Sequence, residues 1–465
     1  MIKRLLIANR GEIALRIVRA ARELGIESVV AHSEADADSL AVRQADAGVC
    51  IGAAPATKSY LNAAAILQAA RECGADAVHP GYGFLSENAA FARAVVEAGM
   101  VFVGPDAAII ERMGDKAMAR QTAVDAGVPV VPGSPGAVSE PARAAAMATE
   151  IGFPLLIKAA AGGGGRGIRV VENADEFERQ LQAAQAEARA AFGDDRVYLE
   201  RFIERARHIE VQVLGDGERV VHLFERECSL QRRRQKLFEE CPSPALDEAA
   251  REALCRSAVR LAEHVGYVGA GTLEYLFDSH SGGFFFIEMN TRIQVEHPIT
   301  EAVTGIDLVR EMLRVASGER LRFVQSQIQC RGWAVEMRIN AEDPARDFFP
   351  SPGTVARLIW PTGPGIRIDS ALFEGYRMPP FYDSLVAKLV VWDDNRAAAL
   401  ARAARALNEF VLDGFTTTAA LHQRLLDTPA LRAGEIDIGF LERWLADAPQ
   451  PVASSPAPAA QETAP

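Results

Sequence analysis

The chain has 465 residues, of which 49% are hydrophobic and 24% charged, and this predicts a globular protein of two to four domains. Its 50 basic and 62 acidic residues give a net charge of −12, which argues against nucleic-acid binding and favours small molecules or other proteins as partners. No apolar run reaches the length of a signal peptide or a membrane span, and the six cysteines show no metal-ligand spacing. We therefore expect a cytoplasmic protein with free thiols and no membrane association.

Strand and helix patterns alternate through the first hundred residues. The strand candidates are five short apolar runs, at residues 5–8, 28–32, 48–51, 75–79 and 101–104. Their alternation with amphipathic helices predicts an α/β fold that begins with a doubly wound parallel sheet. The first strand-to-helix turn, residues 8–12, lacks Gly-x-Gly-x-x-Gly, which disfavours a hydride-transfer enzyme.

The first predicted helix carries Arg16, Arg19 and Glu23 on its polar face. A solvated charged face is the commoner meaning of such a pattern, and a contact between protomers is the alternative.

A glycine-rich turn follows a strand that ends in a lysine. Lys158 closes an apolar run, residues 162–165 are all glycine, and a second apolar run covers 168–171. Glycine N–H groups can close over phosphates while the lysine supplies a positive charge, whereas a simple hairpin tip needs only one or two glycines. The pattern favours phosphate binding. Lys116, near a helix start, would on its own be solvated.

Two further polar segments are open to more than one interpretation. Residues 208–213 alternate polar and apolar side chains, so His208, Glu210 and Gln212 share one strand face, which usually faces solvent. The basic run 231–236 can be a solvated loop, a nucleic-acid contact or a pocket for a small anion. Because four glutamates flank this run, we favour an anion pocket that includes Lys236.

The most informative segment starts at Phe284 and reads Phe-Phe-Phe-Ile-Glu-Met-Asn-Thr-Arg-Ile-Gln-Val-Glu-His-Pro. Its opening predicts a strand, on which Glu288, Asn290 and Arg292 leave the backbone on one side. Glu274 lies on another predicted strand, opposite in direction to its apolar neighbours. Two carboxylates and an amide oxygen suit Mg²⁺ or Mn²⁺, and the arginine suits a planar anion.

The C-terminal part has a different composition. Beyond residue 330, short strands with Gly and Pro turns precede a helical run at 395–407, which predicts a compact domain. The Pro- and Ala-rich segment 448–465 cannot bury apolar area, and we expect it to be disordered.

Taken together, these segments resemble the biotin carboxylase family, ATP-grasp enzymes that perform the first half-reaction of biotin-dependent carboxylases. The resemblance also rests on residues 7–14, 79–88, 228–236, 331–344 and 379–384, and it covers the chain to about residue 445. It implies an N-terminal domain at 1–114, an ATP-grasp domain at 115–330 with a mobile lid at about 133–204, and a C-terminal domain at 331–447.

The resemblance also implies a role for each matching residue. The ATP ligands it implies are Lys116, Lys158, Gly164, Gly165, Glu200, Arg201, Phe202, Ile203, His208, Arg234, Glu274 and Glu288. The metal ligands it implies, for two Mg²⁺ or Mn²⁺ ions, are Glu274, Glu288 and Asn290. The bicarbonate ligands are Lys236, Arg292, Gln294 and Val295, and the biotin contacts are Arg338 and Tyr82. Glu296 would take the bicarbonate proton, and Arg338 with Arg292 would stabilise the biotin enolate.

Three positions depart from the pattern of the family. Arg234 and Trp333 stand where histidines are common, and Ala161 stands where glycine is common. The first change touches the nucleotide pocket, so Arg234 is a doubtful ATP ligand.

Partners follow from what the chain lacks. It contains no Ala-Met-Lys-Met or Val-Met-Lys-Met motif to carry biotin. The resemblance therefore implies a separate biotin carboxyl carrier protein, separate carboxyltransferase subunits and a homodimer. Acetyl-CoA is the simplest final acceptor, and propionyl-CoA, pyruvate, urea or a lactam are alternatives. A non-catalytic ATP-binding regulator is a different class of hypothesis, which predicts loss of Glu296, Arg292 or Lys236, yet all three are present.

Overall fold

The computed structural model describes residues 1–160, 168–192 and 194–447. The N-terminal elements are β1 (Arg4–Ile7), α1 (Gly11–Glu23), β2 (Glu27–Ser33), α2 (Leu40–Gln44), β3 (Ala47–Gly52), α3 (Ala63–Glu72), β4 (Ala77–His79), α4 (Ala89–Glu97), β5 (Val101–Phe102) and α5 (Ala107–Gly114). The five strands form one sheet in the order β3-β2-β1-β4-β5, and every pair is parallel. This confirms the predicted parallel sheet, whose two faces are covered by helices.

A small antiparallel sheet follows. Its region contains α6 (Lys116–Asp125), α7 (Pro141–Ile151), β6 (Leu155–Ala159), β7 (Ile168–Val171), α8 (Ala174–Phe192) and β8 (Val197–Arg201). The strand order is β7-β6-β8, and α7 and α8 pack on one face through an apolar core of its own. Lys158 lies one residue before the end of β6, in agreement with its predicted place near a strand end, while the glycine turn lies outside the described residues.

A larger antiparallel sheet forms the centre of the molecule. Its first elements are β9 (Ala206–Asp216), β10 (Val220–Arg232), β11 (Gln235–Cys241), α9 (Glu248–His264), β12 (Val268–Asp278), β13 (Phe284–Asn290), α10 (His297–Thr304) and α11 (Leu308–Ala316). The elements that follow are β14 (Trp333–Asn340), β15 (Glu342–Asp343), β16 (Phe349–Pro350), β17 (Arg357–Ile359), β18 (Ile366–Ser370) and β19 (Leu385–Asp393). The last are α12 (Arg396–Glu409), β20 (Val411–Asp413), α13 (Ala419–Leu426), α14 (Pro429–Ala433) and α15 (Phe440–Asp447).

Eight of these strands share one sheet in the order β13-β12-β9-β10-β11-β14-β19-β18. Strands from either side of residue 330 therefore belong to the same sheet, because β11 pairs with β14. The pairs β15-β16 and β17-β20 form two further small sheets. The mixed α/β fold class is confirmed.

Two expectations about exposure were wrong. His208, Glu210 and Gln212 on β9 do not face solvent: they are 9%, 0% and 0% exposed, because His208 lines a cavity while Glu210 and Gln212 meet a buried arginine. Arg16 on α1 is also buried, where it forms ion pairs with Glu301 and Asp307. A sequence pattern reports alternation, and it does not distinguish a polar interior from solvent.

Within the described ranges, no helix combines the length and apolar character needed to cross a lipid bilayer.

Candidate active site

A cavity of about 1500 Å³ lies where the three sheets meet. Sixteen of the predicted site residues line it: Tyr82, Lys116, Lys158, Glu200, Phe202, His208, Arg234, Lys236, Glu274, Glu288, Asn290, Arg292, Gln294, Val295, Glu296 and Arg338. Arg201 and Ile203 are not among the lining residues, and the Arg201 side chain instead donates to the carbonyl of Ile151. Gly164 and Gly165 lie outside the described residues.

Lys236 is the centre of the polar part of the cavity. Its ammonium group lies 2.5 Å from Glu210, 2.6 Å from Glu296 and 3.2 Å from Glu274. Burial opposes the charged form of this lysine, but the three carboxylates hold its pKa well above the ordinary value. The ammonium group of Lys236 therefore stays positively charged, and an entering anion can bind it by displacing one of the carboxylates.

The predicted metal ligands lie side by side. Glu274 on β12 is the register partner of Glu288 on β13, and the amide of Asn290 donates to Glu274 at 3.1 Å. Burial and the nearby charge of Glu274 raise the pKa of Glu288, which shows that the two carboxylates repel each other. Among the described residues, no cation lies within ion-pair distance of Glu288. A divalent cation with oxygen ligands fits this pair.

His208 lies against the same carboxylate, with Nε2 2.9 Å from Glu274. Burial lowers the pKa of this histidine, but the carboxylate outweighs that effect and raises it. Glu274 in turn has its pKa lowered, because Lys236 and His208 together outweigh the cost of burial. Glu274 is thus an ionised oxygen donor at neutral pH.

Arg292 points into the cavity from the segment after β13. Its Nη2 donates to Asn290 at 2.7 Å, and its Nε donates to Glu87 at 2.8 Å. Glu87 lies in the segment 79–88 that supports the family resemblance, but the sequence reasoning gave it no role, since it lies 205 residues from Arg292. Gln294 donates to Glu274 at 2.8 Å, so the amide joins the predicted anion side of the cavity to the metal side.

The backbone of Val295 is held by a residue that was also missed. Lys388 on β19 is fully buried and donates to the Val295 carbonyl at 2.9 Å. The same ammonium lies 2.9 Å from Glu12 on α1, whose carboxylate accepts the hydroxyl of Tyr82. Lys388 thereby links the N-terminal helix, the C-terminal strand and the segment that carries Glu296.

Glu296 is the N-cap residue of α10 and is 2% exposed. Lys236 binds one of its oxygens, and Nη2 of Arg338 binds the other at 2.8 Å. Burial alone would raise the pKa of Glu296, but Lys236 and Arg338 hold it well below the usual value. The carboxylate is ionised and can accept a proton.

A buried arginine behind these residues completes the polar core of the site. Arg226 is fully buried and donates to Glu210 at 2.5 Å and to Gln212 at 2.7 Å from one strand, and to Gln294 at 2.9 Å from another segment. The sequence gives no local signal for it, because Arg226 lies within an otherwise ordinary strand. Each of its partners is itself a buried polar group, so the network is satisfied internally.

The opposite end of the cavity carries the predicted nucleotide residues. Lys158 forms an ion pair with Glu200 on the neighbouring strand β8, and Lys116 is the first residue of α6. Arg234 lies at the tip of the β10–β11 hairpin, with a φ of 68°, and lines the cavity. The two lysines are the positive groups that phosphates would meet here.

Paired carboxylates that suit a metal, two lysines at the nucleotide end and a small three-stranded sheet beside the cavity are typical of the ATP-grasp class. Family models agree: residues 115–324 match the carbamoyl-phosphate synthase L chain ATP-binding domain. Residues 1–110 match the biotin carboxylase N-terminal domain, and residues 336–443 match the biotin carboxylase C-terminal domain.

Full-length relatives agree as well. Biotin carboxylase 1 of Bacillus subtilis is 51% identical over 445 residues, which cover 96% of this chain and 99% of that protein. A pyruvate carboxylase subunit of Methanothermobacter thermautotrophicus is 49% identical, with 96% of this chain and 90% of that protein covered. The chain belongs to the biotin carboxylase family and is an enzyme that uses ATP.

A solved structure shows the same fold. The biotin carboxylase domain dimer of Hydrogenobacter thermophilus 2-oxoglutarate carboxylase, in complex with MgADP, ADP and bicarbonate, superposes with a TM-score of 0.88. It is 46% identical, and the match covers 97% of this chain and 99% of that one.

Proposed function

We propose that this protein carboxylates biotin on a separate carrier protein with ATP and bicarbonate, as the first half-reaction of an acetyl-CoA carboxylase. One observation supports the proposal most strongly: Lys236, Glu296 and Arg338 meet in one cavity. Arg292 and the two carboxylates that suit a metal, Glu274 and Glu288, line the same cavity. Glu296 is ionised and the lysine and the two arginines are cations, so together they provide a base, an anion site and a cation for a developing oxyanion.

Bicarbonate binds between Lys236 and Arg292, beside Gln294 and the backbone of Val295. Two cations there favour the deprotonated anion, so Glu296 can accept its proton despite a low pKa. The freed oxygen attacks the γ-phosphorus of ATP and gives carboxyphosphate and ADP. Lys116 and Lys158 bind the phosphates of ATP from the other side.

Glu274, Glu288 and Asn290 hold the metal, which when bound offsets the negative charge that develops on the phosphates. Carboxyphosphate then breaks into CO₂ and phosphate, the phosphate takes the proton of the biotin ureido nitrogen, and that nitrogen attacks CO₂ to give carboxybiotin. Arg338 stabilises the resulting enolate, and Tyr82, held by Glu12, lines the same part of the cavity. The predicted lid, of which the structure describes 133–160, 168–192 and 194–204, would close over the intermediate and exclude water.

A carrier protein and carboxyltransferase subunits complete the proposed assembly. The relatives include a subunit of pyruvate carboxylase and a domain of 2-oxoglutarate carboxylase, so the final acceptor is a property of the partners. A homodimer is proposed by analogy with the domain dimer of the Hydrogenobacter protein. The six unpaired cysteines fit a reducing compartment, and the cytoplasm is the proposed location.

Purified protein tests the proposal. We expect ATP hydrolysis that requires bicarbonate and divalent metal, that rises with free biotin and that falls in Glu296→Ala. ATP binding without bicarbonate-dependent turnover would overturn the enzymatic function. Reconstitution with candidate carrier and carboxyltransferase pairs, with acetyl-CoA, propionyl-CoA and pyruvate compared, identifies the acceptor.

A further inference from the structure

Arg338 is shared between two buried carboxylates. Its Nε and Nη2 lie 2.6 Å and 2.5 Å from Oε1 of Glu239, and Nη2 also lies 2.8 Å from Oε2 of Glu296. Glu239 is fully buried and Glu296 is 2% exposed. One arginine therefore connects the proposed proton acceptor with a second acid that the proposed mechanism does not use.

The position of Glu239 is set by the sheet. It lies on β11, where its register partner is Glu336 of the neighbouring strand β14, two residues before Arg338. Side chains of register partners share a face, and α10 covers this face. Among the described residues, the guanidinium of Arg338 is the only hydrogen-bond partner of the Glu239 carboxylate. Among these residues, binding Arg338 is therefore the only role that the structure shows for the Glu239 carboxylate.

Several charged groups surround this pair. Lys236 lies on the same strand, Glu336 on β14, Lys388 on β19 and Glu296 at the start of α10. Burial raises the pKa of Glu239 to about 7, although Arg338 favours its charged form. At pH 8 the carboxylate is ionised and binds the guanidinium, and below about 7 it becomes protonated.

We propose that Glu239 is a positioning residue, which keeps its contacts to Nε and Nη2 of Arg338 while Glu296 releases Nη2, so that this nitrogen can also donate to the biotin enolate. The inference rests on the proposed function. When a proton passes from the bicarbonate oxygen to Glu296, that carboxylate becomes neutral and its bond to Nη2 weakens. Glu239 stays ionised, so the arginine keeps its orientation and presents Nη2 to the new oxyanion.

This transfer of Arg338 from Glu296 to the biotin oxygen links two steps of the reaction. Before proton transfer, Glu296 neutralises Arg338, and afterwards the same cation is free for the oxygen of biotin. The expected consequence is selective: loss of Glu239 impairs the biotin step and leaves carboxyphosphate formation largely intact.

The experiment compares Glu239→Gln with Glu240→Gln. Glu240, the next residue on β11, also binds an arginine in a buried setting, with Arg396 at 2.7 Å, but Arg396, unlike Arg338, does not line the cavity. Two rates are measured at pH 8: bicarbonate-dependent ATP hydrolysis without biotin, and carboxybiotin formation from free biotin. The melting temperature of each variant reports folding.

For Glu239→Gln we expect carboxybiotin formation to fall about tenfold or more, since a charge-assisted hydrogen bond is lost, while biotin-free ATP hydrolysis changes less than about threefold. Glu240→Gln lowers the melting temperature and keeps the ratio of the two rates. A parallel fall of both rates in Glu239→Gln, or no change in their ratio, would overturn the inference.

The wild-type protein offers a second measurement that needs no variant. Below pH 7, protonation of Glu239 loosens Arg338, so more ATP is hydrolysed per carboxybiotin formed than at pH 8. A constant ratio over this range contradicts the inference. If the wild-type protein shows no bicarbonate-dependent hydrolysis at all, the proposed function fails instead, and the two failures are thereby distinguished.

Discussion

The carboxylate of Glu274 lies directly across from that of Glu288 on adjacent antiparallel strands, with the amide of Asn290 donating to the first. Two acids in register repel each other, and this repulsion contributes to the raised pKa of Glu288. A cation bound between the two carboxylates would offset this repulsion. The pair therefore makes divalent metal a requirement for turnover in the proposed reaction.

Glu288→Gln tests this requirement. The variant keeps the shape of the side chain and removes one negative charge, so we expect metal-dependent ATP hydrolysis to fall by about a hundredfold or more. The fold should survive, because the change also removes the repulsion with Glu274. Activity titrated against Mg²⁺ and Mn²⁺ measures the effect, and an unchanged metal requirement would contradict it.

Glu87 provides a second test, this time of how Arg292 is oriented. Its carboxylate accepts from Nε of Arg292 at 2.8 Å, but its side chain is 41% exposed. Because solvent screens this pair, we expect Glu87→Gln to raise the KM for bicarbonate only about three- to tenfold. Glu97→Gln, an exposed glutamate on α4, is the matched control and should leave the KM unchanged. An increase of the KM in both variants would show that Glu87 has no specific role in orienting Arg292.

The sequence predicted those parts of the site that are local in the chain. Alternation along one strand was enough to place Glu288 and Asn290 together, and the core-facing neighbours of Glu274 predicted its opposite direction correctly, since Leu273, Tyr275 and Phe277 are buried. The parallel N-terminal sheet followed from the same reasoning. Periodicity in the sequence predicts the directions of side chains within a single helix or strand.

Contacts between distant strands were beyond that reasoning. Glu239 meets Arg338 only because β11 and β14 pair in one register, and Lys388 reaches Val295 from 93 residues away. Burial of polar strands was missed for a related reason. His208 lines a cavity whose other walls come from elsewhere in the chain, and Glu210 is buried against Arg226, so alternation alone suggested solvent.

Lys388 gives a third prediction. The lysine is fully buried and forms an ion pair with Glu12, so Lys388→Met leaves that carboxylate without this cation, whereas Asp369 keeps its ion pair with Arg367. We expect a loss of about 3 to 5 kcal/mol in the free energy of unfolding, together with a higher KM for bicarbonate because the Val295 carbonyl loses its donor. Urea denaturation and steady-state kinetics measure the two effects.

Asp369→Asn is the control for that experiment. It removes a buried charge from the same cluster but leaves the bond between Lys388 and Val295. We expect lower stability with an unchanged KM for bicarbonate. Equal KM changes in both variants would show that general loosening of the fold, and not the lost carbonyl bond, governs bicarbonate binding.

The pH dependence of stability gives a fourth prediction, for the ligand-free protein. Burial raises the pKa of Glu239 from 4.5 to about 7 in the folded state, so between these values the native protein binds more protons than the unfolded chain. The contribution of Glu239 to stability is thus fully present below pH 4.5 and is lost as the pH rises through 7. Glu239→Gln, which cannot titrate, lacks this dependence. We expect the stability of the wild type relative to the variant to fall by roughly 2 to 3 kcal/mol between pH 5 and pH 8, with no further change above that. Urea denaturation of both proteins across this range measures the difference, and a difference that rises with pH would show that the carboxylate is ionised throughout and that Arg338 outweighs the cost of burial.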